Sequence, residues 1–196
     1  MSRFALSFVA LLVGAAAAHA HTGIGDTQGF AHGFAHPALG IDHVLVMVAV
    51  GLFAARLGGR ALWLVPLSFV AMMAVGGALG AAGGGLPLIE TGIALSVVIL
   101  GIAVAARLRL PIAAALGLVG CFALFHGQAH GAELPDTASG LAYGVGFLLA
   151  TGCLHAVGIG LGLAIGKPGE AFGNRVLRAA GSAMALVGVV ILAGSL

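Results

Sequence analysis

Charged side chains are what this sequence has least of. Eight Lys and Arg and six Asp and Glu make up 7% of its 196 residues, where soluble domains carry about 25%. Hydrophobic residues account for 61% and the mean hydropathy is +1.17. A soluble globular domain is thereby excluded, and the chain reads as a polytopic, all-α membrane protein in contact with the lipid bilayer. The formal net charge of +2, without a basic patch interleaved with aromatics, excludes nucleic acid as a partner. Two cysteines, Cys121 and Cys153, both lie inside apolar runs, which excludes a disulfide framework and predicts small buried hydrophobes. ATP hydrolysis is excluded too. In the nearest approach to a phosphate loop, Leu161 stands where a glycine is needed and Pro168 replaces the Ser or Thr.

Glycine, by contrast, is plentiful at 34 residues, which in an apolar chain suits closely packed membrane helices. Small-xxx-small pairs recur at Gly76/Gly80, Gly80/Gly84, Gly140/Gly144, Gly158/Gly162 and Gly162/Gly166. They predict close approaches by the second and fifth helices, although each pair alone is a weak signal in so Gly-rich a chain.

Residues 1–20 read as a signal peptide: Arg3 in a short basic head, an apolar run from Phe4 to Ala18, and Ala18-His19-Ala20 as a cleavage site. The run is short for a retained anchor. The mature chain then begins at His21, whose amine and imidazole together could capture a metal ion. Asp26 and His32 follow in a Gly-rich segment, residues 21–36, expected to be extended and periplasmic. An ordinary polar leader fits that segment equally well.

From residue 37 to 196 the hydropathy divides into six transmembrane helices, at about 37–57, 62–82, 86–106, 110–130, 138–165 and 175–195. Arg56 and Arg60 fall in the first connection, Arg107 and Arg109 in the third, and Lys167, Arg175 and Arg178 in the fifth, whereas the second and fourth carry no Lys or Arg. That alternation predicts a multi-pass membrane protein with the mature N-terminus and the C-terminus both outside the cytoplasm. A cleaved leader requires the same N-terminal side.

The polar exceptions sit in two constellations. His36-Pro37 through Asp42-His43 opens the first span; a helix starting at Pro37, the favoured first position, would put His36, Asp42 and His43 on one face about two turns apart. The alternative is a helix cap plus a satisfied polar pair, but ionisable groups inside a membrane helix are costly unless they face a partner or a wet cavity. On the fourth helix, His126, His130 and Glu133 share a face if the helix continues, and Glu90 lies one turn into the third helix on the same side of the membrane. His155, about 25 Å along the fifth helix, is a candidate relay toward the cytoplasm, with a His hydrogen-bonded across a helix interface as the alternative. Imidazole and carboxylate with few thiolates suit Ni²⁺, Co²⁺, Zn²⁺ or Cu²⁺ better than Cu⁺, Mg²⁺ or Ca²⁺.

His36-Pro37 through Gly40, Asp42-His43, Met47 and Gly51, then Glu90, His126-Gly127, His130-Gly131 and Glu133, resemble the HupE/UreJ family of nickel permeases that accompany hydrogenases and ureases. The resemblance runs along the whole mature chain. It implies secondary transport of Ni²⁺, with Co²⁺ as the alternative cargo, into the cytoplasm for a nickel enzyme. It assigns metal handling to His36, Asp42, His43, Glu90, His126, His130 and Glu133. No permanently bound cofactor and no enzymatic activity are implied; metalloenzyme maturation proteins are the candidate protein partners. A metal-binding accessory protein or sensor, and more remotely a membrane metalloenzyme, use the same residue types.

Overall fold

Apolar runs punctuated by Gly and Pro fold into a bundle in which every regular element among the described residues is helical. The structure, a computed structural model, describes residues 29–134, 138–165 and 171–195, with residues 138 and 139 described by backbone alone. The leader 1–20, His21, Asp26 and Lys167 lie outside the described residues, so the cleavage site and the N-terminal capture by His21 are not placed. The elements are α1 (Gly29–Ala35), a 3₁₀ turn (His36–Ala38), α2 (Ile41–Leu57), α3 (Ala61–Ala81), α4 (Ile89–Ala105), α5 (Ile112–Gly131), α6 (Ala138–Ile165) and α7 (Ala171–Gly194).

Four of these helices, α3, α5, α6 and α7, are long and apolar enough to cross a membrane, and α1 with α2 counts as a fifth if the bent pair is one span. The remaining apolar helix, α4, has 17 residues, about 25 Å at 1.5 Å per residue. Large apolar side chains such as Trp63, Leu141, Phe172 and Val190 point outward, a surface that suits lipid rather than water. Cys121 and Cys153 are on that outer surface as well. They keep the apolar surroundings the sequence implies but face outward instead of being buried.

Two expectations about the beginning of the bundle are corrected. The segment read as extended contains α1, which docks on α6: a Cβ at Gly33 would land on the Tyr143 backbone, and one at Gly146 on that of Phe30 and Phe34. The helix read as continuous from Pro37 is broken. Pro37 sits in the 3₁₀ turn, Gly40 adopts an extended conformation (φ −101°, ψ 121°), and α2 restarts at Ile41, so the two pieces meet at 79°. Pro37 followed by Gly40 is a plausible breaker pair, since neither favours a helix interior.

Close backbone contact sets the rest. Helices α3 and α5 make the most extensive pair, and a Cβ at Gly76, Gly80, Gly127 or Gly131 would collide with the backbone of the other helix. Gly158 and Gly162 of α6 lie against α2 in the same way. Of the other small-residue positions, Gly84 is in the loop beyond α3 and Gly144 meets open space. Helix α2 ends at Gly58, whose φ of 70° is the left-handed conformation glycine adopts without steric cost. Arg56 at that end reaches the Arg107 carbonyl (3.4 Å), and Arg56, Arg60 and Arg109 line a cavity of about 460 Å³. The histidines gather at the other end of the same helices.

Candidate functional site

Three separate pieces of chain deliver the imidazoles to one place. The 3₁₀ turn carries His36, the first turn of α2 carries Asp42 and His43, and the last turns of α5 carry His126 and His130. The rings of His43 and His130 have centroids 4.6 Å apart, those of His43 and His126 5.1 Å, and those of His36 and His130 4.9 Å. The contacts pass along a chain of rings, His36, His130, His43 and His126 in turn.

The hydrogen bonds fix how each ring is presented. Asp42 Oδ1 lies 2.9 Å from His43 Nδ1, so the carboxylate accepts the Nδ1–H and leaves Nε2 of a neutral His43 with its lone pair. That Nε2 meets His130 Nε2 at 2.5 Å; with His43 as acceptor, His130 donates through Nε2–H, and its Nδ1 is buried with no hydrogen-bond partner among the described residues. Ser96 Oγ donates its one hydrogen to the Ile93 carbonyl (2.6 Å). It therefore accepts from His126 Nε2–H at 2.9 Å, and the His126 Nδ1 lone pair is left buried and without a hydrogen-bond partner among the described residues.

Aromatic side chains of α6 form a collar. Phe147 lies 4.5 Å from the His130 ring and 5.9 Å from that of His36, and Tyr143 lies 5.7 Å from His36. His43 is 7% exposed and His126 fully buried, while His130, Tyr143 and Phe147 also wall a cavity of about 690 Å³ between α3, α5 and α6. Of the four clustered rings, the cavity reaches that of His130.

A neutral imidazole is a good ligand for a borderline divalent cation, and in the His43–His130 contact a bridging proton would join two ring nitrogens. A divalent cation replacing that proton needs each nitrogen about 2.0–2.1 Å away, so the rings must part slightly, with Asp42 keeping His43 in the correct tautomer throughout. Among the described residues no group of three or more His, Cys, Asp or Glu side chains already stands in metal-binding arrangement. The two rings are in hydrogen-bond contact, closer together than a shared cation would hold them.

His36, Asp42, His43, His126 and His130 thus come together as the sequence suggests, by way of a break in the helix rather than one continuous face. Glu90, in the first turn of α4, and Glu133 are exposed at the same end. Because α5 stops at Gly131, Glu133 belongs to the turn beyond it and does not continue the His126–His130 face. His32 lies on α1, one turn before His36, with ring centroids 6.2 Å from His36 and 5.8 Å from Tyr143, not in an extended leader. His155 lies deeper, packed edge-on to Phe69 at 5.1 Å. Ser96, Tyr143 and Phe147 were not legible as site residues; the spacing of four between Tyr143, Phe147, Thr151 and His155 was the available signal.

The model of the HupE / UreJ protein family matches residues 9–191. The chain belongs to the HupE/UreJ family. Protein HupE of Rhizobium leguminosarum bv. viciae is 49% identical to it over 178 residues, 90% of this chain and 91% of the relative. No solved structure matches. At the level of the HupE/UreJ family, the match supports a nickel or cobalt permease-type function accessory to hydrogenase or urease.

Proposed function

We propose that this HupE/UreJ protein is a secondary permease that carries Ni²⁺, with Co²⁺ as the alternative cargo, across the inner membrane into the cytoplasm to supply a nickel enzyme such as urease or hydrogenase. The observation that carries the reading is the contact between His43 and His130: ring nitrogens from two different helices meet at hydrogen-bond distance, and Asp42 orients the first ring. Such a pair exchanges a proton for a cation, which is what capture followed by release requires. His36 and His126 extend the ligand set outward and inward, and Glu90 and Glu133 supply negative charge at the mouth that attracts divalent cations.

The arginine-lined end supports an orientation with the histidines facing the periplasm, since Lys and Arg concentrate in cytoplasmic connections. In this orientation α4 completes a six-span bundle, with the mature N-terminus and the C-terminus outside the cytoplasm and residues 1–20 removed. Metal transfer to maturation proteins then occurs at the arginine end. Radiolabelled nickel uptake into vesicles containing the protein tests the reading: accumulation above protein-free vesicles is expected. A protein that binds nickel and accumulates none is an accessory protein or sensor instead.

A further inference from the structure

We propose that His155 is a second, inner station for the permeating divalent cation, separated from the outer imidazoles by the ring of Phe69. This inference rests on the permease reading. His155 is 1% exposed, and neither of its ring nitrogens meets a hydrogen-bond partner among the described residues. An imidazole kept only for structure ordinarily spends at least one nitrogen on a neighbour, as His126 does on Ser96. His155 spends neither.

Its place in the bundle gives that free lone pair a use. Tyr143, Phe147, Thr151 and His155 are four residues apart along α6 and share one stripe. Tyr143 and Phe147 touch the outer rings, and His155 follows Phe147 by eight residues, about 12 Å further into the bundle. Phe69 on α3 bridges the interval, with its ring 5.8 Å from His126 and 5.1 Å from His155, nearly perpendicular to the latter at 84°. The backbone beside His155 is pinned as well, since a Cβ at Gly51 would collide with the His155 carbonyl. Thr151, one turn nearer the outer site, donates its hydroxyl hydrogen to the Phe147 carbonyl (2.9 Å), which leaves its oxygen lone pairs toward the same stripe's surroundings.

A cation leaving His126 past an aromatic ring therefore next meets an unspent imidazole in an apolar interior. Nitrogen is the ligand type that Ni²⁺ and Co²⁺ accept readily. One imidazole with few companions holds such an ion weakly, which suits a transit station, because conduction requires sites from which the ion also leaves.

The test uses the full-length protein in liposomes, with nickel binding measured by equilibrium dialysis on the same preparation. His155→Gln, an amide of similar size, is expected to keep the outer affinity within about 2-fold and to slow nickel uptake about 10-fold or more. His155→Cys is expected to restore transport with the preference shifted from Ni²⁺ toward Cd²⁺, because thiolate selects softer ions. Uptake at the wild-type rate in His155→Gln overturns the proposal, as does a His155→Cys protein whose Ni²⁺ to Cd²⁺ ratio equals that of wild type. Should wild type bind nickel yet transport none, the permease reading fails, and the inner station is then decided by binding alone. A second, weaker equivalent of nickel present in wild type and absent in His155→Gln supports it; its absence from wild type sinks it.

Discussion

The outer cluster and the pocket of His155 employ the same side chain in opposite conditions. In the outer cluster His43 and His126 are held by named partners: Asp42 fixes the tautomer of the first and Ser96 that of the second. In the inner pocket the imidazole of His155 is held by packing alone, against Phe69 and a glycine-tight backbone. Hydrogen bonds that orient a ring raise its basicity and its affinity for a cation, whereas a ring held only by shape binds less firmly. The difference teaches that a graded path can be built from one residue type by varying what stands behind it.

Removing the oriented ring breaks the comparison most severely. His43→Ala is expected to lower nickel uptake by more than the roughly 10–100-fold that loss of an orienting partner costs, with the amount of protein in the membrane unchanged. Vesicle uptake normalised to immunoblotted protein checks this, and normal transport at normal abundance refutes the site. Asp42→Asn keeps the ring but removes the carboxylate, so a loss of about 10–100-fold is expected.

Acid acts on the cluster without any mutation. Imidazole binds metal only when neutral, so protons and the cation compete for the ring nitrogens that hold it. Nickel affinity measured by calorimetry is expected to fall as pH is lowered from about 7.5 to 5.5. An affinity flat across that range would show that no ligating group exchanges a proton within it.

Gly40→Ala sharpens the comparison more gently. A Cβ there would stand 2.8 Å from both Asp42 Oδ1 and His43 Nδ1, closer than those atoms tolerate, so the pair must separate. Uptake is expected to fall about 10-fold, the lower bound for a lost orienting contact, with the thermal unfolding midpoint little changed. The smallest effect is expected of Ser96→Ala. Loss of its hydrogen bonds costs about 1 kcal/mol of stability and a few-fold of uptake, as His126 loses the acceptor that sets its tautomer. An uptake rate identical to wild type would show that His126 is not oriented through Ser96.

Most of the outer cluster was legible in the sequence because charge and imidazole are so costly in an apolar span that their positions are informative. His36, Asp42, His43, His126 and His130 needed only spacing and a common side of the membrane to be grouped. What failed was local geometry. A continuous helix from Pro37 satisfied the periodicity and the preference for Pro at a helix start, so Pro37 and Gly40 were read as a beginning rather than as a break. Glu133 was placed on a helix that stops at Gly131, because Gly-rich helix ends offer few signals inside an apolar run. Ser96 was invisible since one hydroxyl among Leu, Val and Ile residues reads as packing, and its role emerges only where α5 brings His126 against it. His32 and His155 stood out as residues, while no local pattern linked them to Tyr143 and Phe69, which meet them only in the folded bundle.

The bend at Gly40 also bears on how the protein is made. His36 is carried on an arm that rests on α6, and the collar of Tyr143 and Phe147 belongs to α6 too. The ribosome delivers the arm first and its seat more than a hundred residues later. A half-finished chain in the membrane therefore carries its histidines without their enclosure. The contact between the earliest described residues and α6 forms only after α2 to α5 have been made, so the imidazole cluster is enclosed late in the insertion of the bundle.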